Sequence, residues 1–239
     1  MTHVAMVRVK IVGRVSTFAR HGVARVKRLP HAPAVVIFFA ARAAAARPIA
    51  VDVGQWQVVQ LTSGPDIYYS PMRDPAMPFL RAHYRPPMRT TVLGWQLPDD
   101  MRSVAHYLNW KWRVEAFPAG GNECARGRED SAAVVYATWK RGLRWYTLKF
   151  VWSSVGPKGA TCDRKRNLFV AQDTIVLESG GPTDRWSVES IDLKAEFRRH
   201  FEDGRVDAEV PDFVGLGLMS DGDQTESESA ADYAEFIVE

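Results

Sequence analysis

Leu108-Asn109-Trp110-Lys111-Trp112-Arg113-Val114 decides the fold. Read with a period of two, Leu108, Trp110, Trp112 and Val114 share one face, and Asn109, Lys111 and Arg113 share the other. That alternation belongs to a strand with one side in a core. Two Trp rings on the inner side dominate the burial around them. The outer side is cationic and hydrogen-bonding, which marks it as a candidate ligand face.

Outward from this strand, the text between Trp56 and Leu97 falls into short apolar pieces: Trp56 to Leu61, Ile67 to Tyr69, Phe79 to Tyr84 and Thr90 to Leu97. Ser63-Gly64-Pro65-Asp66, Pro71 and Pro86-Pro87 break them apart. Prolines at strand flanks and scarce helical periodicity predict an all-β domain. Further strands are expected at Asp173 to Leu177, Trp186 to Ile191, Phe213 to Met219 and Tyr233 to Val238. Asp192 is a good N-cap for one short helix, Leu193 to Phe201, with Leu193, Phe197 and Phe201 at a spacing of four. No repeat and no linker divides residues 52–239, so they read as a single β-sandwich domain.

A hairpin is expected from Ala132–Lys140 and Leu143–Ser153, turning at Arg141-Gly142, with paired positions summing to 283. Its inner face carries Ala133, Val135, Ala137 and Trp139. Its other face carries Tyr136, Thr138, Trp145, Thr147 and Lys149, more rings and fewer charges than an ordinary solvent face. With Asn109, Lys111 and Arg113, these side chains would suit a glycan or other envelope ligand, whose sugar rings stack on aromatics and whose hydroxyls need polar partners. The predicted ligand set is Asn109, Lys111, Arg113, Tyr136, Trp145 and Lys149. The competing reading is that chain covers this face and the rings form a second core.

The charge is unevenly spread. Of 31 Lys and Arg, nine lie in the first 51 residues, where there is no acid. The remaining 22 meet 28 acidic residues, so the body is mildly acidic and is not expected to bind nucleic acid. Residues 1–51 read as a basic leader with a signal peptide: Arg25, Lys27 and Arg28, the apolar run Ala32 to Ala41, then Ala44 and Ala46 in an A-x-A frame. The run is short for a membrane span and Arg42 follows it, so the mature protein is expected to have no transmembrane span and to be secreted or periplasmic. A basic tail or a docked helix are the alternatives. In an oxidising compartment, Cys124 and Cys162, near one another by the hairpin register, form a plausible disulfide.

Asp221 to Asp232 carries oxygen side chains at positions 1, 3, 5, 7, 9 and 12, the ligand spacing of a calcium loop, with Asp221, Asp223 and Thr225 as the first ligands. Glu226 replaces the usual Gly at position 6, and the flanks are strands, so a plain acidic loop reads equally well; Ca2+ is the sole cofactor suggested. No nucleophile elbow, zinc-binding His pair or phosphate loop is present. Glu189 and Asp192 are the nearest paired carboxylates for glycoside hydrolysis, but at that spacing they point to opposite faces of a strand. Arg113, Lys149 and Tyr136 could serve a lyase if their strands were neighbours.

Asn109-Trp110-Lys111-Trp112-Arg113-Val114, Glu129-Asp130-Ser131-Ala132-Ala133-Val134-Val135-Tyr136, Val151-Trp152-Ser153, Trp186-Ser187-Val188-Glu189-Ser190 and Met219-Ser220-Asp221-Gly222-Asp223-Gln224-Thr225 resemble the bacterial domain-of-unknown-function 3047 family. The resemblance runs from about Asp52 to the C-terminus. It implies an exported, jelly-roll-like antiparallel β-sandwich similar to carbohydrate-binding modules, with no established activity. The long basic N-terminus and the two Cys-bearing loops depart from it. Three functions follow as expectations: a glycan-binding domain, a carbohydrate-active hydrolase or lyase in the same groove, and a structural or protein-interaction domain.

Overall fold

The computed structural model describes residues 47–59 and 67–239. The leader's signal-peptide features and Ser63-Gly64-Pro65-Asp66 lie outside the described residues. The strands are β1 (Ile49–Ala50), β2 (Gln57–Val58), β3 (Tyr69–Met72), β4 (Phe79–Tyr84), β5 (Leu93–Gln96), β6 (Tyr107–Ala116), β7 (Ala133–Arg141), β8 (Arg144–Ser153), β9 (Thr161–Arg166), β10 (Val170–Ser179), β11 (Ser187–Asp192), β12 (Asp212–Met219) and β13 (Ser229–Val238). One α-helix among the described residues, α1 (Leu193–Phe201), follows β11 directly.

The strands make two sheets. The first runs β11-β6-β13-β4-β3, and β1 pairs with the end of β13 that β4 does not reach. The second runs β2-β5-β12-β7-β8-β10-β9. Pairing is antiparallel except between β8 and β10, which run parallel because β9 crosses to the outer edge before β10 returns. The result is an all-β, jelly-roll-like sandwich with one short helix.

The period of two in β6 does what it demands: Leu108, Trp110, Trp112 and Val114 are buried completely or almost so. Trp110 and Trp112 meet edge to face at 5.4 Å, and reach Phe150 and Trp152 of the second sheet at 5.8 and 5.7 Å. Burying each indole contributes on the order of 5 kcal/mol of transfer free energy. Tyr233 of β13 ties the layers by hydrogen bonds: its hydroxyl donates to the Met219 carbonyl at 2.5 Å and accepts the Val134 N–H at 3.1 Å.

The hairpin register differs from the expected one. Arg141 faces Arg144 and Val135 faces Phe150, so paired positions sum to 285, and Gly142-Leu143 make the turn, with Gly142 at φ +59°. Gly tolerates that left-handed backbone, which fixes it as the first turn residue. A shift of two keeps every side chain on its expected face; a shift of one would have exchanged the faces. β9 was not expected from sequence. Its Thr161-Cys162-Asp163-Arg164-Lys165-Arg166 is polar throughout, as suits an edge strand guarded by cations.

Asp192 caps α1, its carboxylate accepting the N–H groups of Lys194 and Ala195 at 3.0 and 2.8 Å. The helix closes one end of the sandwich. Phe197 packs on Trp139 and Tyr146 at 5.4 and 5.2 Å, and Phe201 on Tyr146 at 5.3 Å. No helix among the described residues is long and apolar enough to cross a membrane.

Candidate functional site

The six residues of the predicted ligand face do not share a surface. Asn109, Lys111 and Arg113 point outward from the first sheet, and Tyr136, Trp145 and Lys149 point outward from the second, with the aromatic core between them. Sequence periodicity assigns a side chain to one of two faces of its own strand, but not the sheet that strand joins.

On the first sheet the three side chains are consumed internally. Asp232 of β13, fully buried, accepts Arg81 at 2.7 Å and Arg113 at 2.8 Å. Arg113 also reaches Glu115 at 3.0 Å and Asp184 at 2.8 Å, and lies 4.8 Å over the Trp186 ring. Lys111 pairs with Glu235 at 2.7 Å, and the Asn109 amide donates to Glu239 at 3.3 Å. These groups neutralise one another.

On the second sheet Tyr136 and Lys149 are roofed by the chain, so the second-core reading holds there. Cys124 and Cys162 form a disulfide, with a Cα–Cα distance of 5.4 Å, that ties the segment after β6 to β9. This places Glu123 on the Lys149 ammonium at 2.8 Å, both buried. Val134, Val151, Val176 and Met219 form a small apolar cluster beside them, with Tyr136 against it. Burial works against the Lys149 charge, but Tyr136, Glu123 and Asp221 more than compensate and raise its pKa. Burial pushes the Glu123 and Asp221 carboxyls upward, Asp221 well above the carboxylate range, and Lys149 opposes both. Arg113 lies on the other sheet, so the lyase constellation of Arg113, Lys149 and Tyr136 does not assemble. Trp145 alone is exposed, with the Lys140 ammonium 4.7 Å over its ring.

The expected calcium loop is also rearranged. Asp130, Asp221 and Asp223 bring one carboxylate oxygen each within 4.8 Å of one another, and Asp130 was not in the sequence pattern. Thr225 is not a ligand in this geometry: its N–H and hydroxyl donate to Asp130 at 2.7 and 2.6 Å. Asp232, the twelfth position, belongs to β13, because pairing with β4 and β6 starts β13 at Ser229. Burial and neighbouring Asp130 raise the Asp223 carboxyl. Three carboxylates fall short of the six to eight oxygens that calcium takes, and Asp130 already spends its oxygens on N–H and O–H donors.

The open surface lies along one side of the sandwich, where edge strand β11 of the first sheet approaches β10 of the second. There the inward-facing positions mix carboxylates and a hydroxyl with apolar side chains. On β10 they are Asp173, Ile175 and, after a bulge, Glu178; on β11 they are Ser187, Glu189 and Ile191. Two hollows adjoin here. One, of about 510 Å³, is lined by Asp173, Ile175, Ile191, Glu196, His200 and Arg166. The other, of about 410 Å³, is lined by Trp152, Glu178, Gly180, Trp186 and Ser187. Lys158 in the wall of the first is ion-paired at 2.8 Å with Glu178 in the wall of the second.

Glu189 accepts the Trp112 indole N–H at 3.1 Å and the Ser187 hydroxyl at 3.3 Å. Burial raises its carboxyl, the Trp112 hydrogen bond opposes this, and nearby Glu178 raises it further. Asp192, its expected partner, is occupied as the helix cap. In the larger hollow His200 is held between Asp173, at 2.8 Å from Nδ1, and Glu196, at 3.4 Å from Nε2. Burial disfavours its charge, but the bonds to Glu196 and Asp173 outweigh that and raise its pKa. Arg166 completes the chain on Asp173 at 2.8 Å. Sequence reasoning missed Glu178, Asp173 and His200. The signal was there for Asp173, a carboxylate at the inward parity of a strand otherwise rich in Val, Leu and Ile; Glu178, five residues on, has the opposite parity, and only the bulge after Val176 turns it inward.

The family model described as protein of unknown function (DUF3047) matches residues 54–237. The chain belongs to the DUF3047 family. No curated protein matches this DUF3047 chain. Among solved structures it is similar to the xyloglucanase domain of NopAA, a type three effector from Sinorhizobium fredii, in complex with cellobiose. Identity is 10%, the TM-score 0.41, and the match covers 82% of this chain and 96% of that one. A loop-swap mutant of Necallimastix patriciarum Xyn11A is 10% identical with a TM-score of 0.38, over 81% and 99% of the two chains. The Trichoderma harzianum endoglucanase 3 from family GH12 is 10% identical with a TM-score of 0.33, over 81% and 97%.

Proposed function

We propose that this β-sandwich binds an extended glycan along the side groove between β10 and β11, outside the cytoplasm. The observation that carries the reading is the pair Glu178, in the wall of the smaller hollow, and Glu189, on the neighbouring edge strand β11, both at inward positions where a closed sandwich would carry apolar side chains. The half-buried Trp186 in the same wall offers a ring to a sugar, and Glu178 and Ser187 offer partners for hydroxyls. The Cys124–Cys162 disulfide supports an oxidising compartment.

The test is titration of the full chain with soluble glycans, read by tryptophan fluorescence and calorimetry. A ligand is expected whose affinity drops at least tenfold in Glu178→Gln and in Glu189→Gln with unchanged thermal midpoints. Equal affinity in both variants defeats the reading.

A second reading, glycoside hydrolysis, has one observation in its favour. Burial beside Glu178 raises the Glu189 carboxyl, while Lys158 sits on Glu178. A buried carboxyl raised in this way suits the acid partner of a carboxylate pair acting on one bond. Release of reducing ends that Glu189→Gln abolishes, with binding retained, would favour it over binding alone.

A further inference from the structure

Two turns stand side by side at one end of the second sheet and carry apolar tips that line neither hollow of the groove. The β7–β8 turn presents Leu143, 79% exposed, followed by Trp145, 43% exposed. The β9–β10 turn presents Leu168 and Phe169, 78% and 55% exposed. The backbone joins them: the Trp145 N–H donates to the Phe169 carbonyl at 2.8 Å, and Val170 is the ladder partner of Trp145. Asn167 rigidifies the second turn, its side-chain oxygen accepting the N–H groups of Phe169 and Val170 at 2.8 Å each. Four large apolar side chains are thus held in the solvent by a stiff scaffold, which isolated surface hydrophobics are not.

The charge on the two turn segments themselves has one sign. Lys140-Arg141-Gly142-Leu143-Arg144-Trp145 and Arg164-Lys165-Arg166-Asn167-Leu168-Phe169 contain six cations and no acid, on a body that is otherwise mildly acidic. Arg141 and Arg166 are tied to Glu202 and Asp173, and Lys165 to Asp163. Lys140, Arg144 and Arg164 have no carboxylate partner among the described residues. Each cation stands one to five residues behind an apolar tip.

We propose that these paired turns dock the domain on an anionic phospholipid surface. Leu143, Leu168 and Phe169 enter the interfacial region, the Trp145 indole lies at headgroup level, and Lys140, Arg144 and Arg164 meet the phosphates. Protruding tips with cations set back from them match a layer whose apolar zone lies beneath an anionic one. Water at headgroup depth keeps the turn N–H and C=O groups solvated, which a span through the hydrocarbon would not allow. The proposal does not depend on the groove, and it gives Trp145 a role apart from the ligand face expected from sequence.

The experiment is co-sedimentation of the full chain with vesicles of phosphatidylcholine alone or mixed with phosphatidylglycerol. Wild type is compared with Leu143→Asp/Leu168→Asp and with Lys140→Ser/Arg144→Ser/Arg164→Ser. Binding to the anionic vesicles only, weakened by salt and accompanied by a blue shift of tryptophan emission, is expected. Removing the two Leu tips should abolish it at an unchanged thermal midpoint, since both side chains are largely exposed. Each cation removed should weaken it about fivefold. The basic leader is present in every variant, so wild-type binding retained by the tip variants would assign it to the leader and overturn the proposal. Absence of binding to either vesicle, or capture of a protein partner that depends on the same tips without lipid binding, would overturn it too.

Discussion

Asp232 accepts the Arg113 guanidinium at 2.8 Å from a position with no solvent exposure, and shares the same carboxylate with Arg81 at 2.7 Å. An uncompensated charge inside a protein costs more than the pair is worth. Asp232→Ala would leave two guanidinium groups, one of them with only 17% of its side chain exposed, without their buried acceptor. Chemical denaturation should show a loss of about 3 kcal/mol. A triple change to well-packed apolar residues at Arg81, Arg113 and Asp232 should recover most of it.

Tyr233→Phe keeps the ring and deletes the hydroxyl that bridges the Val134 N–H and the Met219 carbonyl. Two buried backbone groups lose a partner, for a cost of about 2 kcal/mol. Amide exchange at Val134 should accelerate more than at neighbouring positions of β7, since the damage falls on that N–H.

His200 carries a folded-state pKa raised by Glu196 and Asp173. Its contribution to stability is therefore complete below the unfolded value near 6.5 and disappears as pH rises through the folded value. Urea unfolding of wild type and His200→Gln across this range should show a gap that is widest in the acid part and closes on the alkaline side. A gap constant with pH would mean that the imidazole acts only by packing.

Reducing the Cys124–Cys162 bond opens a loop closed over 38 residues, for a loss of roughly 4 kcal/mol in the chain-entropy account. The local effect is more specific. Glu123, adjacent to Cys124, should leave Lys149, so Lys149 should become modifiable by amine reagents on reduction while remaining protected in the oxidised chain.

Elements whose identity rests on local pattern were legible. The β6 alternation, the Asp192 cap with the α1 spacing, and the apolar strands near Phe79 and Phe213 all have short-range causes. The hairpin was legible to within two residues, because periodicity fixes a face and a turn glycine only approximately fixes the register. β9 was invisible: Arg164, Lys165 and Arg166 have no apolar side to alternate. The acidic loop was misjudged where Asp232 reads as its last oxygen ligand, since what defines Asp232 is Arg81 and Arg113, each more than a hundred residues away in the chain.

The sequence by itself determined that this chain makes β-strands with one Trp-rich inner side, that a single helix follows Asp192, and that Cys124 and Cys162 can approach each other. All of these follow from spacing along the chain, which is covalent information. Tertiary structure decided which strands share a sheet, and so which polar faces meet. Strand pairing is made by backbone hydrogen bonds common to every residue, so the side chains of β6, β7 and β8 carry no mark of opposite layers. It sent Arg113 and Lys149 to opposite sides of the core, and brought Glu178 and Glu189 near one another where β10 and β11 approach.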